Sequence, residues 1–326
     1  MSKLTKLGFT LGDPAGVGPR LLARLLPHLV PGHAYVFYAE EKTLRLACRL
    51  EGVPFPFKKV ERLDEVKGPG LYLVDLNLLS RDRPEPSLEA GRAAAAYLAR
   101  GVADAVKGEL FGLLTMPISK LWARRAGFSF PGQTEFLAHA SGVKRVAMVM
   151  YSGKLKLALH TTHVPLRHVF NSINKKEIET KLRFVINEWE KLFKVRPRVK
   201  VLGLNPHAGE GGELGREELT EIRPAVEALR AEGFEVEGPL PPDAAFVRPS
   251  SEALYYCMYH DQGLAPFKAL AFDEGVNLTL GLPFVRVSPD HGTAYEVAWE
   301  GELREGASVS ALRLLYHLLD LKAQGA

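Results

Sequence analysis

Cysteine is scarce in this chain of 326 residues, which contains only Cys48 and Cys257. The two lie far apart and form no CxxC pair, so neither a structural disulfide nor a cysteine zinc site is expected. No apolar run reaches the roughly 18 residues that a membrane span requires. The N-terminal stretch MSKLTKLGFTLGDPAG meets a glycine turn too soon for a secretory signal. We therefore predict a cytoplasmic protein that binds no membrane.

An excess of one charge is also missing, since 42 Lys and Arg residues stand against 38 Asp and Glu, a formal net charge of +4. No long block of Lys or Arg occurs, so nucleic-acid binding is not expected. The remaining composition, 46% hydrophobic and 25% charged, is that of an ordinary globular protein. At roughly 100–200 residues per domain, the length predicts two domains.

Two common nucleotide-binding fingerprints are absent. The first predicted strand runs into a turn whose glycines are Gly12, Gly16 and Gly18, which is not the GxGxxG order. No GK[ST] follows, so the turn is not a Walker loop. Glu40, after the second predicted strand, resembles the ribose-binding acid of a Rossmann unit, but the glycine order makes this a coincidence.

Predicted strands and helices alternate along the chain. The predicted strands are Leu7 to Leu11, Tyr35 to Tyr38, Leu71 to Val74, Gly112 to Met116, Ala147 to Tyr151, Lys154 to Leu159, Val199 to Leu204, Asn277 to Leu280 and Phe284 to Val287. The predicted helices start at Arg20, near Glu135 and at Pro165, or span Leu88 to Lys107, Lys176 to Val195, Glu217 to Glu232 and Ser310 to Ala323. This alternation predicts an α/β protein with a largely parallel sheet.

Three histidines each lie just past a predicted strand: His163, His207 and His260. In α/β proteins the loops beyond the carboxyl ends of strands form the ligand crevice. Three imidazoles with one open position suit a catalytic divalent metal such as zinc. No HExxH-type local geometry supports the site, so a capping or hydrogen-bonding role for each histidine stays open. For His160 and His291 the sequence favours neither a functional nor a structural role.

Reactive side chains alternate with glycines and short apolar runs between residues 256 and 296. Lys268, Asn277 and Arg286 lie here, between the segments YHDQG and DHGTA. A lone polar residue is usually solvated or locally hydrogen-bonded. The whole set instead suits a site that holds an anionic substrate and a metal.

These segments together resemble the 4-hydroxythreonine-4-phosphate dehydrogenase family of pyridoxal phosphate biosynthesis, over nearly the whole chain. The matching motifs are, in order, TLGDPAGVGP from Thr10, GQTEFLA from Gly132, TTHVPL from Thr161, GLNPHAGE from Gly203, YHDQG from Tyr259, GVN from Gly275, GLPFVR from Gly281 and DHGTA from Asp290. Several such motifs in one order make the resemblance specific.

The resemblance implies a two-domain α/β/α fold of the isocitrate/isopropylmalate dehydrogenase type, not a Rossmann domain. The expected domains are 1–127 plus 268–326 on the cofactor side, and 128–267 with the metal ligands and dimer contacts. It implies a homodimer with the active site in the cleft between domains. One divalent cation (zinc, magnesium or cobalt) would be bound by His163, His207 and His260, contributed by both subunits.

The resemblance also implies roles for individual residues. Substrate contacts fall on Gln133, Thr134, Lys268, Asn277 and Arg286. NAD or NADP is expected at Gly12, Asp13, Gly16, Gly18, His291, Gly292 and Thr293. Candidates for proton transfer or support of the ligands, in no order, are Asp243, Asp261 and Lys120.

The implied reaction oxidises 4-phosphohydroxy-L-threonine to 2-amino-3-oxo-4-phosphooxybutanoate, which loses carbon dioxide to give 3-amino-2-oxopropyl phosphate, in pyridoxine 5'-phosphate biosynthesis. The cation would stabilise the alkoxide while hydride leaves to the nicotinamide. A paralogous dehydrogenase for 4-phosphothreonate or 4-phosphoerythronate is the alternative. A phosphate- or sugar-acid-binding protein without catalysis is a third interpretation.

The chain departs from the family pattern at two positions. Gln133 stands where the family usually has histidine, and Arg20 where it often has glutamate. The first difference concerns a substrate contact, and the second concerns the cofactor side.

Overall fold

The described part of the chain, residues 4–325 of a computed structural model, contains twelve strands and eleven helices. The strands are β1 (Lys6–Thr10), β2 (Ala34–Ala39), β3 (Lys58–Lys59), β4 (Gly70–Asp75), β5 (Gly112–Thr115), β6 (Ala147–Tyr151), β7 (Lys156–Leu159), β8 (Arg198–Leu202), β9 (Val236–Leu240), β10 (Ala253–Cys257), β11 (Val276–Leu280) and β12 (Val285–Pro289). The helices are α1 (Gly18–Leu25), α2 (Glu41–Leu50), α3 (Leu88–Val106), α4 (Lys120–Arg125), α5 (Gln133–Ala140), α6 (Leu166–Val169), α7 (Lys175–Phe193), α8 (Arg223–Ala231), α9 (Pro242–Ala245), α10 (His260–Ala271) and α11 (Gly306–Gln324).

The first of two compact units contains residues 4–146 and 281–317. Its strands follow the order β3-β4-β2-β1-β5-β12, and every neighbouring pair among them is parallel. Strand β2 is buried at every position and β1 at all but its first. Burial on both faces explains why these two strands are nearly continuous apolar runs in the sequence.

The second unit contains residues 147–280 and 318–325. Its strands follow the order β11-β6-β7-β10-β8-β9, with antiparallel pairs at β11/β6 and β6/β7 and parallel pairs after them. Helix α7 buries Ile178, Leu182, Val185, Ile186 and Trp189, the apolar face that its period predicts. The predicted hairpin of residues 147–159 is confirmed by the β6/β7 pair.

The α/β class and the largely parallel pairing are confirmed, but the two compact units have different bounds from the predicted domains. Residues 128–146, expected in the second domain, belong to the first unit because α5 packs against α3. Residues 268–280, expected in the first domain, belong to the second unit because β11 pairs with β6. The functions expected of each domain stay predictions.

Several local features differ from the sequence prediction. Strand β9 was not predicted because its sequence VEGPL contains a Gly-Pro pair, which normally indicates a turn. The helix predicted from Glu217 begins with a π-helical turn, Glu218–Ile222, before α8. Asp243, predicted in a loop, lies in the first turn of α9.

Both cysteines are free and buried. Burial raises the pKa of the Cys48 thiol to about 11 and raises the pKa of Cys257 further. Such thiols carry little thiolate at neutral pH and behave as core residues. Within residues 4–325, none of the helices combines the length and the apolar character needed to cross a membrane.

Candidate active site

A buried cation in the first unit lies beside Thr115, the last residue of β5. Arg286 on β12 is 3% exposed, and its Nε donates a hydrogen bond of 3.1 Å to Thr115 Oγ1. Its Nη2 lies 3.4 Å from Gln133 Oε1, while Gln133 Nε2 donates at 3.0 Å to the carbonyl of Met116. Burial lowers the pKa of Arg286 to about 10, and the charge of Glu135 opposes the shift. The guanidinium therefore stays charged at neutral pH, in a place where water screens it little.

The N-terminus of α5 adjoins this cation. Its N-cap, Gly132, supplies no side-chain hydrogen bond, and Thr134 lies half-buried in the first turn. Lys120 is exposed on α4, with its Cε 3.8 Å from the point where a Cβ on Gly132 would lie. Unsatisfied N–H groups at a helix start attract anions. Gln133, Thr134 and Arg286 thus come together around a position suited to a phosphate or carboxylate.

Two predicted cofactor segments, 12–18 and 290–294, contact each other directly in the first unit. The N–H of Val17 donates to the carbonyl of Thr293 at 2.9 Å. The Tyr295 hydroxyl donates to Asp13 Oδ2 at 2.5 Å. A Cβ on Gly16 would lie 2.8 Å from the Thr293 oxygen, so only glycine permits this approach. The two segments therefore form one rigid element.

The accessible part of that element is the later segment. Gly12, Asp13, Gly16 and Gly18 are all buried, whereas Gly292 is exposed and open space surrounds it. Burial raises the pKa of the Asp13 carboxyl, although hydrogen bonds from Tyr295 and from Ala15 N–H oppose the shift. The residues that a cofactor could touch are therefore His291 to Thr293, with the glycine turn behind them as support. The predicted cofactor role of all seven residues stays a prediction.

Two of the three predicted metal ligands lie together in the second unit. The ring centroids of His163 and His260 are 5.6 Å apart, and His260 is the first residue of α10. His260 Nδ1–H donates to Asp261 Oδ1 at 2.6 Å, and the His260 side chain is 37% exposed. A carboxylate on one ring nitrogen fixes the tautomer that presents the other nitrogen to a metal.

His207 lies in a backbone conformation that residues with side chains rarely adopt. Its φ and ψ are 53° and 29°, and Ala208, Gly209, Glu210 and Gly211 also have positive φ. Each left-handed non-glycine residue costs roughly 1–2 kcal/mol. Strain of this kind collects at functional sites, where the surrounding structure enforces it. We refer to residues 207–211 as the left-handed turn.

Glu218 holds the left-handed turn in place through hydrogen bonds and packing. It is 1% exposed, and its Oε1 accepts hydrogen bonds of 2.7 Å from the N–H groups of Leu204 and Asn205. Its Oε2 accepts from Asn205 Nδ2 at 2.8 Å. A Cβ on Gly209 would lie 2.8 Å from the same Oε2, so the turn packs directly on the carboxylate. None of the sequence motifs pointed to this residue.

The fit to a divalent cation is partial within this chain. Neutral imidazoles are good ligands for zinc and cobalt, and His163 and His260 form a pair. Within residues 4–325, no group of three or more His, Cys, Asp or Glu side chains is placed to hold a metal. The chain thus brings together two of the three predicted ligands. Exposed Asp243 lies on α9, which packs against the segment Pro206–Gly212 that carries His207.

The two remaining predicted substrate contacts lie in the second unit. Lys268 is half-buried on α10, with its Nζ 5.9 Å from the centre of the Phe272 ring. Asn277 lies on β11, and its buried Oδ1 has no hydrogen-bond partner among the described residues. A buried acceptor of this kind needs a donor. Hydroxyl and ammonium groups of a substrate are suitable donors.

Two polar residues considered in the sequence have structural roles. His160 Nε2–H donates to the carbonyl of Ser172 and its Nδ1 accepts from the Tyr256 hydroxyl, both at 2.8 Å. Burial lowers the pKa of His160 to about 4, so it is neutral. Glu40 Oε1 accepts from the Leu78 N–H at 2.6 Å and is buried, which agrees with its dismissal as a ribose-binding acid.

Arg20 is also structural. It forms a buried ion pair with Glu51, and its Nη1 donates to the carbonyls of Ala298 at 3.3 Å and Gly301 at 3.0 Å. The residue joins α1 and α2 to residues 298–301. Its departure from the family pattern therefore concerns packing behind the cofactor segments, and the guanidinium does not itself line them.

Comparison with known proteins identifies the family of this chain. The sequence model described as "Pyridoxal phosphate biosynthetic protein PdxA" matches residues 32–315. The 4-hydroxythreonine-4-phosphate dehydrogenase of Aquifex aeolicus (strain VF5) is 58% identical over 97% of this chain and 98% of its own. The D-threonate 4-phosphate dehydrogenase of Pectobacterium atrosepticum is 36% identical over 98% of this chain and 100% of its own. A crystal structure of 4-hydroxythreonine-4-phosphate dehydrogenase from Klebsiella pneumoniae superimposes with a TM-score of 0.82 at 36% identity, over 98% of each chain.

Proposed function

Because the chain belongs to the PdxA family of pyridoxal phosphate biosynthesis, we propose that it oxidises 4-phosphohydroxy-L-threonine with a nicotinamide cofactor. The fold agrees with this, since the chain shares its fold with a structure of 4-hydroxythreonine-4-phosphate dehydrogenase at a TM-score of 0.82. The single observation in this chain that carries the proposal is that the buried guanidinium of Arg286 lies beside Gln133, the first residue of α5.

The first unit supplies the anion-binding groups. The guanidinium of Arg286 is a planar fork whose orientation is fixed by Thr115 and Gln133, and such a fork suits phosphate or carboxylate. Thr134 adds a hydroxyl and α5 adds backbone N–H groups. We assign to these groups one anionic end of the substrate.

The second unit supplies the metal ligands. A divalent cation bound by these imidazoles would supply the chemistry that makes the substrate hydroxyl more acidic and so assists hydride transfer to a nicotinamide. His163 and His260 would hold it, with Asp261 orienting His260 through the 2.6 Å hydrogen bond. Asp261 thus has a supporting role, which leaves Asp243 and Lys120 as the candidates for proton transfer. The 3-oxo acid that results loses carbon dioxide.

We propose a homodimer in which an imidazole of the partner completes the metal site. The apolar side chains that follow His163 support this, because Leu166 is 63% exposed and Phe170 and Val164 are exposed as well. Neighbouring exposed apolar residues are typical of an interaction surface. Free cysteines are usual in the reducing cytoplasm, which stays the predicted location.

A second candidate substrate is 4-phosphothreonate, since a relative named D-threonate 4-phosphate dehydrogenase is 36% identical. The two substrates share carboxylate and phosphate and differ at carbon 2, which bears an amino group in one and a hydroxyl in the other. Arg286 cannot distinguish them. The Asn277 Oδ1 acceptor could bind either donor, so we favour the first substrate on the 58% identity to the Aquifex enzyme.

The test is reduction of NAD and of NADP, followed by absorbance, against 4-phosphohydroxy-L-threonine, 4-phosphothreonate and 4-phosphoerythronate. We expect the highest kcat/KM for the first substrate, loss of turnover with chelator and recovery with zinc, magnesium or cobalt. A preference of tenfold or more for 4-phosphothreonate would favour the second candidate. Binding of all three without turnover would leave a binding protein.

A further inference from the structure

The loops that carry the three histidines are joined by one buried chain of hydrogen bonds. Thr161 Oγ1 donates to the carbonyl of Met258 at 2.7 Å. The N–H of Met258 donates to Gln262 Oε1 at 2.7 Å, and Gln262 Nε2 donates to the carbonyl of Gly203 at 2.7 Å. Thr161 precedes His163, Met258 precedes His260, and Gly203 precedes His207, each in the same loop. A single side chain, that of Gln262, therefore connects the loop of His207 to the other two.

Gln262 is suited to this position by both ends of its amide. The side chain is buried at 7% exposure and touches two backbone groups of opposite polarity, one donor and one acceptor. Glutamate would offer only acceptors, so a carboxylate oxygen would face the carbonyl of Gly203. Methionine has a similar length but would leave the Met258 N–H and the Gly203 carbonyl without this partner.

The surroundings prevent Gln262 from shifting to compensate. At the next residue, Gly263, a Cβ would lie 2.8 Å from Cys257 Sγ and 3.1 Å from the Leu157 side chain, so α10 packs tightly on β10 and β7. On the other side, the N–H of Gly203 is bonded to the carbonyl of Leu240 at 2.8 Å. The amide thus spans two fixed backbones, and it sets the distance between them.

We propose that Gln262 is a positioning residue for metal binding, which fixes the loops of His163, His207 and His260 relative to one another without touching the ion. This rests on the proposed metal site. Residues that orient metal ligands typically change metal affinity by about 10- to 100-fold when they are replaced. Gln262→Met should therefore weaken metal binding by about 10-fold or more, and Gln262→Glu should weaken it at least as much.

The experiment titrates the metal-free full-length protein with Co²⁺ alone and records its visible absorption, which reports the geometry of the ligands. For Gln262→Met we expect a roughly 10- to 100-fold higher Kd and a changed band shape, and in turnover a lower kcat with little change in KM. The matched control is Ser152→Ala. Ser152 is a buried side chain of the same unit that hydrogen-bonds Lys154 and Leu155, and its loss should leave the Co²⁺ spectrum unchanged.

The result that overturns the proposal is a Gln262→Met protein with the wild-type Co²⁺ affinity and spectrum. If that variant does not fold, Gln262→Glu replaces it. This change keeps the acceptor for the Met258 N–H and removes the donor to the Gly203 carbonyl, so unchanged Co²⁺ binding there would overturn the proposal in the same way. Failure of the metal site itself is distinct, because the wild type would then bind no Co²⁺ or His163→Ala would bind it equally well.

Discussion

The candidate site residues of the two units are held in opposite ways. Around Arg286, the functional side chains are buried and hydrogen-bond one another, as Gln133 and Thr115 do with the guanidinium. Around the histidines, buried groups that are not ligands hold the backbone, while His163 and His207 are exposed. In the first region, hydrogen bonds fix the functional side chains themselves. In the second region, they fix the loops that carry the histidines.

This difference reflects the chemistry of the two ligands. A guanidinium binds an anion more strongly where water is kept away, so burial serves the function directly. An imidazole must be reached by an ion, and in a shared site by a neighbouring subunit, so its ring cannot be enclosed by its own chain. Fixing the loop at Glu218 and Gln262 orders the ligand while its ring stays accessible.

The largest effect on turnover should follow from removal of the imidazole ring of His260. His260→Ala should reduce turnover by about 1,000-fold, roughly 4 kcal/mol in the barrier, with little change in the free energy of unfolding because the ring is 37% exposed. Steady-state kinetics and thermal unfolding check both parts. The matched control is His28→Ala, a similarly exposed histidine of the first unit, which should be fully active. Retained turnover in His260→Ala would show that the ring is not a ligand.

Loss of the buried cation should affect substrate binding more than turnover. Arg286→Met should raise KM about 100-fold, roughly 3 kcal/mol, because the anionic group of the substrate loses a bidentate partner. The KM of Arg286→Lys should lie between those of the wild type and Arg286→Met, because lysine keeps the charge but lacks the planar fork. Arg83→Met is the control, an exposed arginine of the same unit that pairs with Glu300. An unchanged KM in Arg286→Met would refute the anion site.

The second unit should lose folding stability in acid because of buried His160. The folded-state pKa of His160 is about 4, below its ordinary 6.5, because burial disfavours the charged ring. As the pH falls through 6.5 the unfolded chain takes the proton first, so stability present above pH 6.5 is lost down to about pH 4, on the order of 3 kcal/mol. Urea unfolding at several pH values checks this. His160→Gln should be less stable at pH 7 but should lack that part of the slope; an equal slope would exclude His160 as its source.

The smallest effect should come from Gln133→His. One ring nitrogen can replace the amide donor to Met116, so KM at pH 8 should change about threefold at most, less than the loss of one neutral hydrogen bond. Below about pH 6.5 the ring becomes charged at the anion site beside Arg286, so KM of the variant should fall with acid relative to that of the wild type. KM measured from about pH 5.5 to 8.5, on both sides of that ordinary histidine pKa, checks the difference. Parallel pH profiles would show that position 133 does not face the guanidinium.

What the sequence predicted depends on how local each signal is. The helical period of α7 and the strand ends before His163 and His207 were readable because neighbours in the chain determine them. The pairing of Arg286 with Thr115 was not, because these residues are distant in sequence and meet only when β12 pairs with β5. The motifs predicted which residues belong to the site, but not which of them touch one another.

The left-handed turn shows the same limit. Alanine and glutamate at positions 208 and 210 carry no local sign of positive φ, which glycine would have carried. The conformation is enforced by Glu218 through Leu204 and Asn205. The π-helical turn from which Glu218 projects is likewise invisible in the residue pattern, because it differs from an α-helix by one residue only.

Because of that extra residue, the number of residues in the π-helical turn Glu218–Ile222 determines the direction in which Glu218 points. Removing one residue between 219 and 222 would restore a regular α-helix and rotate Glu218 by about 100° around the axis. The carboxylate would then turn away from Leu204 and Asn205, although every residue named in the site would still be present. A single-residue deletion, normally harmless only in loops, would here release the loop of His207 as surely as a substitution of Glu218. Alignments that score residue identity alone would overlook such a change, whereas gap positions within 219–222 would reveal it.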